Sequence, residues 1–173
     1  TIPFFFLRLS AYSKSRTFFA TFQILNLNEV TPYFHTPSGI ENKVQDLKRR
    51  CEMVRKIQPD CVLSIHQNSY PEEAIHGAQV FYYEDSSEGK KLAEILQKHL
   101  VEVLDKENHR QAKGNRTYYM LKKTEATLVI VECGFLSNNQ EALLLTDEKY
   151  QNKVAKAICS GTLEYLSSLA EEK

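Results

Sequence analysis

Apolar residues recur at three- and four-residue intervals after Asn42. Val44, Leu47, Cys51, Val54 and Ile57 fall on one helical face, with Lys48, Arg49, Arg50 and Arg55 on the others. That is the pattern of an amphipathic helix packed on a core, ended by Pro59 and Asp60. A short apolar run, Cys61 to Ile65, reads as a buried strand ending at His66. Gly77 opens a second strand, Ala78 to Tyr83, and Asp85, Ser86 and Ser87 are cap candidates for the following helix. Its stripe is Leu92, Ile95, Leu96, His99 or Leu100, and Val103, followed by a polar loop from Asp105 to Arg116.

Tyr118 to Leu121 reads as a further strand. Thr127 to Val131 is apolar and β-branched almost throughout, as suits a strand covered on both faces. Glu132 ends it and Gly134 breaks it; a short helix is expected around Gln140 to Leu145. A last helix runs from about Asp147 to Leu169, with Val154, Ala157, Ile158, Leu163 and Leu166 on its buried side. Alternating helix and strand patterns predict an α/β domain with a mixed, largely parallel sheet flanked by helices. In such sheets, functional groups collect beyond the carboxyl ends of the strands. Both His66 and Glu132 take that kind of position, and two neighbouring strands could bring them to one crevice.

Thr1 to Ser38 follows neither period. Seven of the nine Phe lie at or before Phe34, and Glu29 is the lone acid before Glu41. The expected organisation is an atypical segment over 1–41 and a folded domain over 42–173. Arg8, Lys14 and Arg16 interrupt the early apolar stretch, so no clear secretory signal is read. The chain's 173 residues suit one domain. Lys plus Arg and Asp plus Glu both number 22, which gives no reason to expect nucleic acid. No apolar run is long enough for a membrane span. Cys51, Cys61, Cys133 and Cys159 form no CxxC pair and read as small buried hydrophobes.

Glu132 follows an apolar strand. Desolvation there would raise its carboxyl pKa toward the range useful to a general acid or base. It reads equally well as a strand end pointing to water. His66, followed by Gln67 and Asn68, could coordinate zinc or be a hydrogen-bonded structural histidine. His76, His99 and His109 read as surface or packing residues, and Lys48, Arg49 and Arg50 as a solvated helix face. Of the tyrosines Tyr82, Tyr83, Tyr118 and Tyr119, half should pack in the core. No Gly-rich phosphate loop follows any expected strand, which argues against a nucleotide-binding module.

Three spaced segments decide more together than any of them alone: Ser64-Ile-His-Gln-Asn-Ser69, Gly77-Ala-Gln-Val-Phe-Tyr-Tyr83 and Val131-Glu-Cys-Gly-Phe-Leu-Ser-Asn138. With His109-Arg-Gln-Ala-Lys113 and Tyr119-Met-Leu-Lys122, the chain resembles the zinc N-acetylmuramoyl-L-alanine amidases of the amidase-3 family, especially those of the spore-cortex and germination type. The resemblance covers roughly Asn42 to Leu166. It implies a zinc ligand at His66, a catalytic glutamate at Glu132 and, at Asn68, a substrate contact. It also implies a zinc cofactor with an open position for water, a peptidoglycan or muropeptide substrate, and a site of action in the cell envelope or forespore compartment. The bond cut would join N-acetylmuramic acid to L-alanine.

The family's opening Asp-Pro-Gly-His-Gly-Gly strand end and the glutamate ligand on its next helix have no match here. His35, Glu29 and Glu41 are the available upstream donors, in non-matching contexts. The break in composition near residue 40 implies a truncated or rearranged N-terminal region. The alternative is an inactive amidase-fold remnant that at most binds muropeptides.

Overall fold

A computed structural model describes residues 4–9, 20–25 and 39–171 of the chain, with side chains over 44–171. The strands are β1 (Phe4–Leu9), β2 (Ala20–Leu25), β3 (Cys61–Asn68), β4 (Gln79–Tyr83), β5 (Lys113–Asn115) and β6 (Leu128–Phe135). The helices are α1 (Gly39–Ile57), α2 (Ser87–Leu104), α3 (Tyr119–Lys123), α4 (Asn139–Thr146) and α5 (Glu148–Glu171). The strands form one sheet in the order β2-β1-β3-β6-β4-β5. Pairs β3–β6 and β4–β5 are parallel; β1–β2, β1–β3 and β4–β6 are antiparallel. The expected mixed sheet flanked by helices is present, and its antiparallel pairings outnumber the parallel ones.

Successive strand residues face opposite sides of the sheet, so each central strand feeds two cores. Cys61, Leu63, Val80, Val129, Val131 and Cys133 pack against Leu92, Leu96 and Leu100 of α2 and Val154, Ala157 and Ile158 of α5. Val62, Phe81, Leu128 and Ile130 pack on the other face against Cys51 and Val54 of α1 and Met120 and Leu121 of α3. This explains why the β3 and β6 segments are apolar without alternation: a strand covered on both sides has no solvent face to mark.

The helix boundaries follow local chemistry. Ser86 caps α2, its hydroxyl accepting from Gly89 N at 2.9 Å, and Asn138 caps α4, accepting from Glu141 N at 3.0 Å. Of the cysteines, Cys51, Cys61 and Cys133 are buried as expected, Cys159 is half-buried, and all are free.

Several expectations need correction. The segment from Tyr119 is helix α3, not a strand. Asn115 turns the chain just before it, its side-chain oxygen accepting from Thr117 N and Tyr118 N at 2.7 and 2.8 Å. Five residues are too few for a helical period to register. The expected polar loop holds strand β5, and Thr1 to Ser38 supplies β1 and β2. Glu132 does not end its strand and Gly134 does not break it, because β6 continues to Phe135. Gly134 adopts φ +155, and a Cβ there would lie 3.3 Å from the Glu141 carboxylate, so glycine permits both the bend and the close approach. Leu163 and Val103, assigned to buried stripes, are 41% and 37% exposed.

Helices α2 and α5 meet through a small residue. A Cβ on Gly161 would lie 3.1 Å from Leu96 Cδ2 and 3.2 Å from His99 Cδ2. Gly161→Val should therefore lower unfolding stability by about 1–3 kcal/mol through overpacking, despite the better helix propensity of valine. Urea denaturation measures this, and a native midpoint would contradict it.

Candidate active site

The second face of the sheet carries Val62, Ser64 and His66 along β3, and Leu128, Ile130 and Glu132 along β6. Parallel pairing aligns these rows: Val62 with Leu128, Ser64 with Ile130, and His66 with Glu132. The apolar row beneath α1 and α3 thus ends, toward the carboxyl ends of both strands, in an imidazole beside a carboxylate. The register then shifts, so that Asn68 pairs with Phe135. Leu136 N donates to Asn68 O at 2.8 Å and holds the two strand ends together.

Glu132 is 7% exposed, and its Oε2 is buried with no hydrogen-bond partner. Burial pushes its carboxyl up to about 7. An unpartnered buried carboxylate oxygen is costly, and no hydrogen bond within the described fold accounts for Glu132 Oε2. The alternative in which Glu132 points to water does not hold.

His66 is half-buried, and its Nε2 lies 2.6 Å from Ser64 Oγ. Burial, then the Arg50 guanidinium, lowers its pKa and favours the neutral ring. Arg50 is therefore not part of a solvated face as the sequence implied. Its side chain is 14% exposed and paired with Asp46 at 2.6 Å. Asn68 Oδ1 accepts from Ser69 N at 2.8 Å, so this oxygen shapes the turn after β3. His76 and His109 are exposed, and His99 pairs with Glu164 at 2.7 Å, in keeping with surface roles.

Other residues complete the surroundings. Gln79 is directly opposite Glu132 across the β4–β6 ladder. Its side chain accepts from Arg110 at 3.0 Å and donates to Gln111 O at 3.0 Å. The Arg110 guanidinium lies 4.8 Å above the Phe135 ring. Glu141 accepts from Gly77 N at 2.9 Å and Phe135 N at 2.7 Å, tying the start of β4 to the end of β6. No local signal marks Gln79 or Arg110, because their roles depend on strand order. The spacing Asn138-x-x-Glu141 is a capping-box signal that was open to reading.

Zinc hydrolases commonly use three protein ligands plus water. Among the described residues no three His, Cys, Asp or Glu side chains are grouped to hold a metal, and His66 with Glu132 falls short of a set. His35 and Glu29 lie outside the described residues, as does the side chain of Glu41 on α1. The donors described here do not make a zinc site by themselves.

The family model described as N-acetylmuramoyl-L-alanine amidase matches residues 23–164. The chain belongs to the amidase-3 family. A germination-specific N-acetylmuramoyl-L-alanine amidase of Bacillus subtilis is 36% identical over 125 residues, covering 72% of this chain and 52% of the relative. The solved CwlD amidase of Clostridioides difficile, in complex with the GerS lipoprotein, superposes with a TM-score of 0.74 at 39% identity, covering 76% of this chain and 67% of that one. The catalytic domain of CwlV from Bacillus (Paenibacillus) polymyxa gives 0.63 at 30% identity, covering 70% and 65%. This amidase-family chain therefore spans about half the length of the Bacillus relative. No described helix is long and apolar enough to cross a membrane.

The buried carboxyl of this amidase-family chain generates a pH prediction. The folded state keeps the Glu132 proton up to about 7, against an ordinary value of 4.5. Folding stability is therefore lost as pH rises through that window. Glu132→Gln has no such proton, so its stability relative to the native protein should rise by about 3 kcal/mol between about pH 4 and about pH 8.5. Urea unfolding in chelating buffer at both pH values reads this, and a constant difference would contradict it.

Proposed function

We propose that this chain hydrolyses the amide bond between N-acetylmuramic acid and L-alanine in peptidoglycan, with Glu132 as the proton-transferring residue. The observation that carries the reading is the buried carboxyl of Glu132, unpartnered at Oε2, beside the neutral imidazole of His66 at the carboxyl end of a parallel strand pair. Membership of an amidase family fits that chemistry, and so do relatives named as N-acetylmuramoyl-L-alanine amidases.

In this mechanism, Glu132 takes a proton from a water positioned against the scissile carbonyl. The water oxygen bonds to the carbonyl carbon, the C–N bond breaks, and the proton passes to the departing alanine nitrogen. A carboxyl titrating near neutrality suits both transfers, since it accepts a proton readily and gives it back readily. His66 is assigned to hold the water or a metal through its ring nitrogen, and Asn68 to contact the substrate. Zinc is the family's cofactor, but with His66 as its one described imidazole, further donors would have to come from outside the described residues. The substrate places the reaction outside the cytoplasmic membrane.

Glu132→Gln should lower the release of new alanine amino termini from purified peptidoglycan by about 100-fold or more, with the fold retained by circular dichroism. Native release by this variant would overturn the assignment.

The second reading is a non-catalytic amidase scaffold, favoured by the absence of a three-donor cluster among the described residues. Elemental analysis after dialysis against a weak chelator separates the two. About one zinc per chain, lost in His66→Ala, supports the enzyme. No retained zinc, together with no alanine release, supports the scaffold.

A further inference from the structure

Tyr118 precedes α3, and two sets of contacts fix it there. Asn115 Oδ1 accepts from Thr117 N, Thr117 Oγ1 and Tyr118 N at 2.7, 3.2 and 2.8 Å, folding the chain into a tight turn. Arg116 within this turn reaches across to the β4–α2 connection, pairing with Glu84 and Asp85 at 2.7 Å each. Exposed ion pairs of this kind contribute little stability. Their consequence is geometric: Asn115 and Arg116 anchor the chain immediately before Tyr118.

The anchored ring lies over the catalytic face of the sheet. Tyr118 makes an edge-on contact with Phe81, with ring centroids 5.5 Å apart and an interplanar angle of 71°. Phe81 pairs with Ile130, and the next residue of β6 on that face is Glu132. Helix α3 and the residues after it lead down to the start of β6, where Val62 N bonds to Thr127 O. The chain leaves β5 beside the start of β6, because Asn115 pairs with Tyr83; from there the Tyr118 ring reaches Phe81, level with Ile130 and one step short of Glu132 on the same face. Tyr118 is 36% exposed although packed against Phe81, so part of the residue remains open to solvent.

A packing role alone does not account for this arrangement, since phenylalanine would make the same contact with Phe81. Resting on the reading of this site as an amide hydrolase, we propose that Tyr118 is a further catalytic residue, its phenol donating a hydrogen bond to the oxygen of the scissile carbonyl as negative charge develops there. Donors held in place before the reaction act most strongly on charge that appears only in the transition state. Burial, then the neighbouring Glu132 carboxylate, raises the phenol pKa and keeps the hydroxyl protonated as a donor. The group transfers no proton and needs no co-reactant; water and Glu132 supply the rest of the reaction.

Tyr118→Phe removes the hydroxyl and keeps the ring. On a soluble muramoyl-peptide fragment, it should lower kcat about 10–100-fold, with KM within about twofold and an unchanged Tm. An unchanged kcat, or a raised KM at native kcat, would overturn the proposal. Glu132→Gln, assayed alongside, tells the two layers apart. If that variant is inactive while Tyr118→Phe is native, only the assignment of Tyr118 falls. If Glu132→Gln keeps native kcat, the amidase reading falls, and the role of Tyr118 with it.

Discussion

The parallel pairing of β3 with β6 is the constraint on which the site depends. Its register puts His66 beside Glu132, and it holds because both strands are buried on both faces. Slipping either strand by one residue would turn Val62 and Leu128 out of one core and Leu63 and Val129 out of the other. The packing that stabilises the fold therefore also sets His66 and Glu132 side by side. The same burial leaves Glu132 only 7% exposed, with no partner for one oxygen. The surrounding core tolerates an unsatisfied carboxyl, and its cost appears as a raised pKa.

The strand ends around the site are closed by side chains instead of further sheet. Gln97 of α2 takes the place of a neighbouring strand for β4, accepting from Val80 N at 2.8 Å and donating to Ala78 O at 3.1 Å. Glu141 joins Gly77 to Phe135, and Arg110 spans His76 O, Gln79 and the Phe135 ring. These contacts satisfy backbone groups that would otherwise be orphaned next to the crevice. They also hold β4 beside the part of β6 that carries Glu132.

Much of this was legible in the sequence, for identifiable reasons. Helices α1, α2 and α5 show full amphipathic stripes, and Ser86 and Asn138 mark helix starts through their capping chemistry. His66 and Glu132 were visible as polar residues interrupting apolar runs. That neighbouring strands could bring them to one crevice was also legible, but the His66–Glu132 register was not, since periodicity assigns residues to faces and does not say which strands pair. The same gap hid Gln79 and Arg110. Tyr118 was misplaced on a strand because five-residue α3 is defined by the Asn115 turn and by burial of Met120 and Leu121, neither of which has a period. The burial of Arg50 was hidden among adjacent cations, where only the Asp46 spacing at i−4 hinted at an ordered side chain.

The β3–β6 register buries the Glu132 carboxyl with one oxygen unpartnered, and that burial raises its pKa toward neutrality. Titration of the Glu132 side-chain carboxyl by carbon-13 NMR in metal-free protein tests this most directly. The account predicts a midpoint of about 7. A midpoint at the ordinary value of 4.5 would mean that the carboxyl is solvated or paired, and would contradict it.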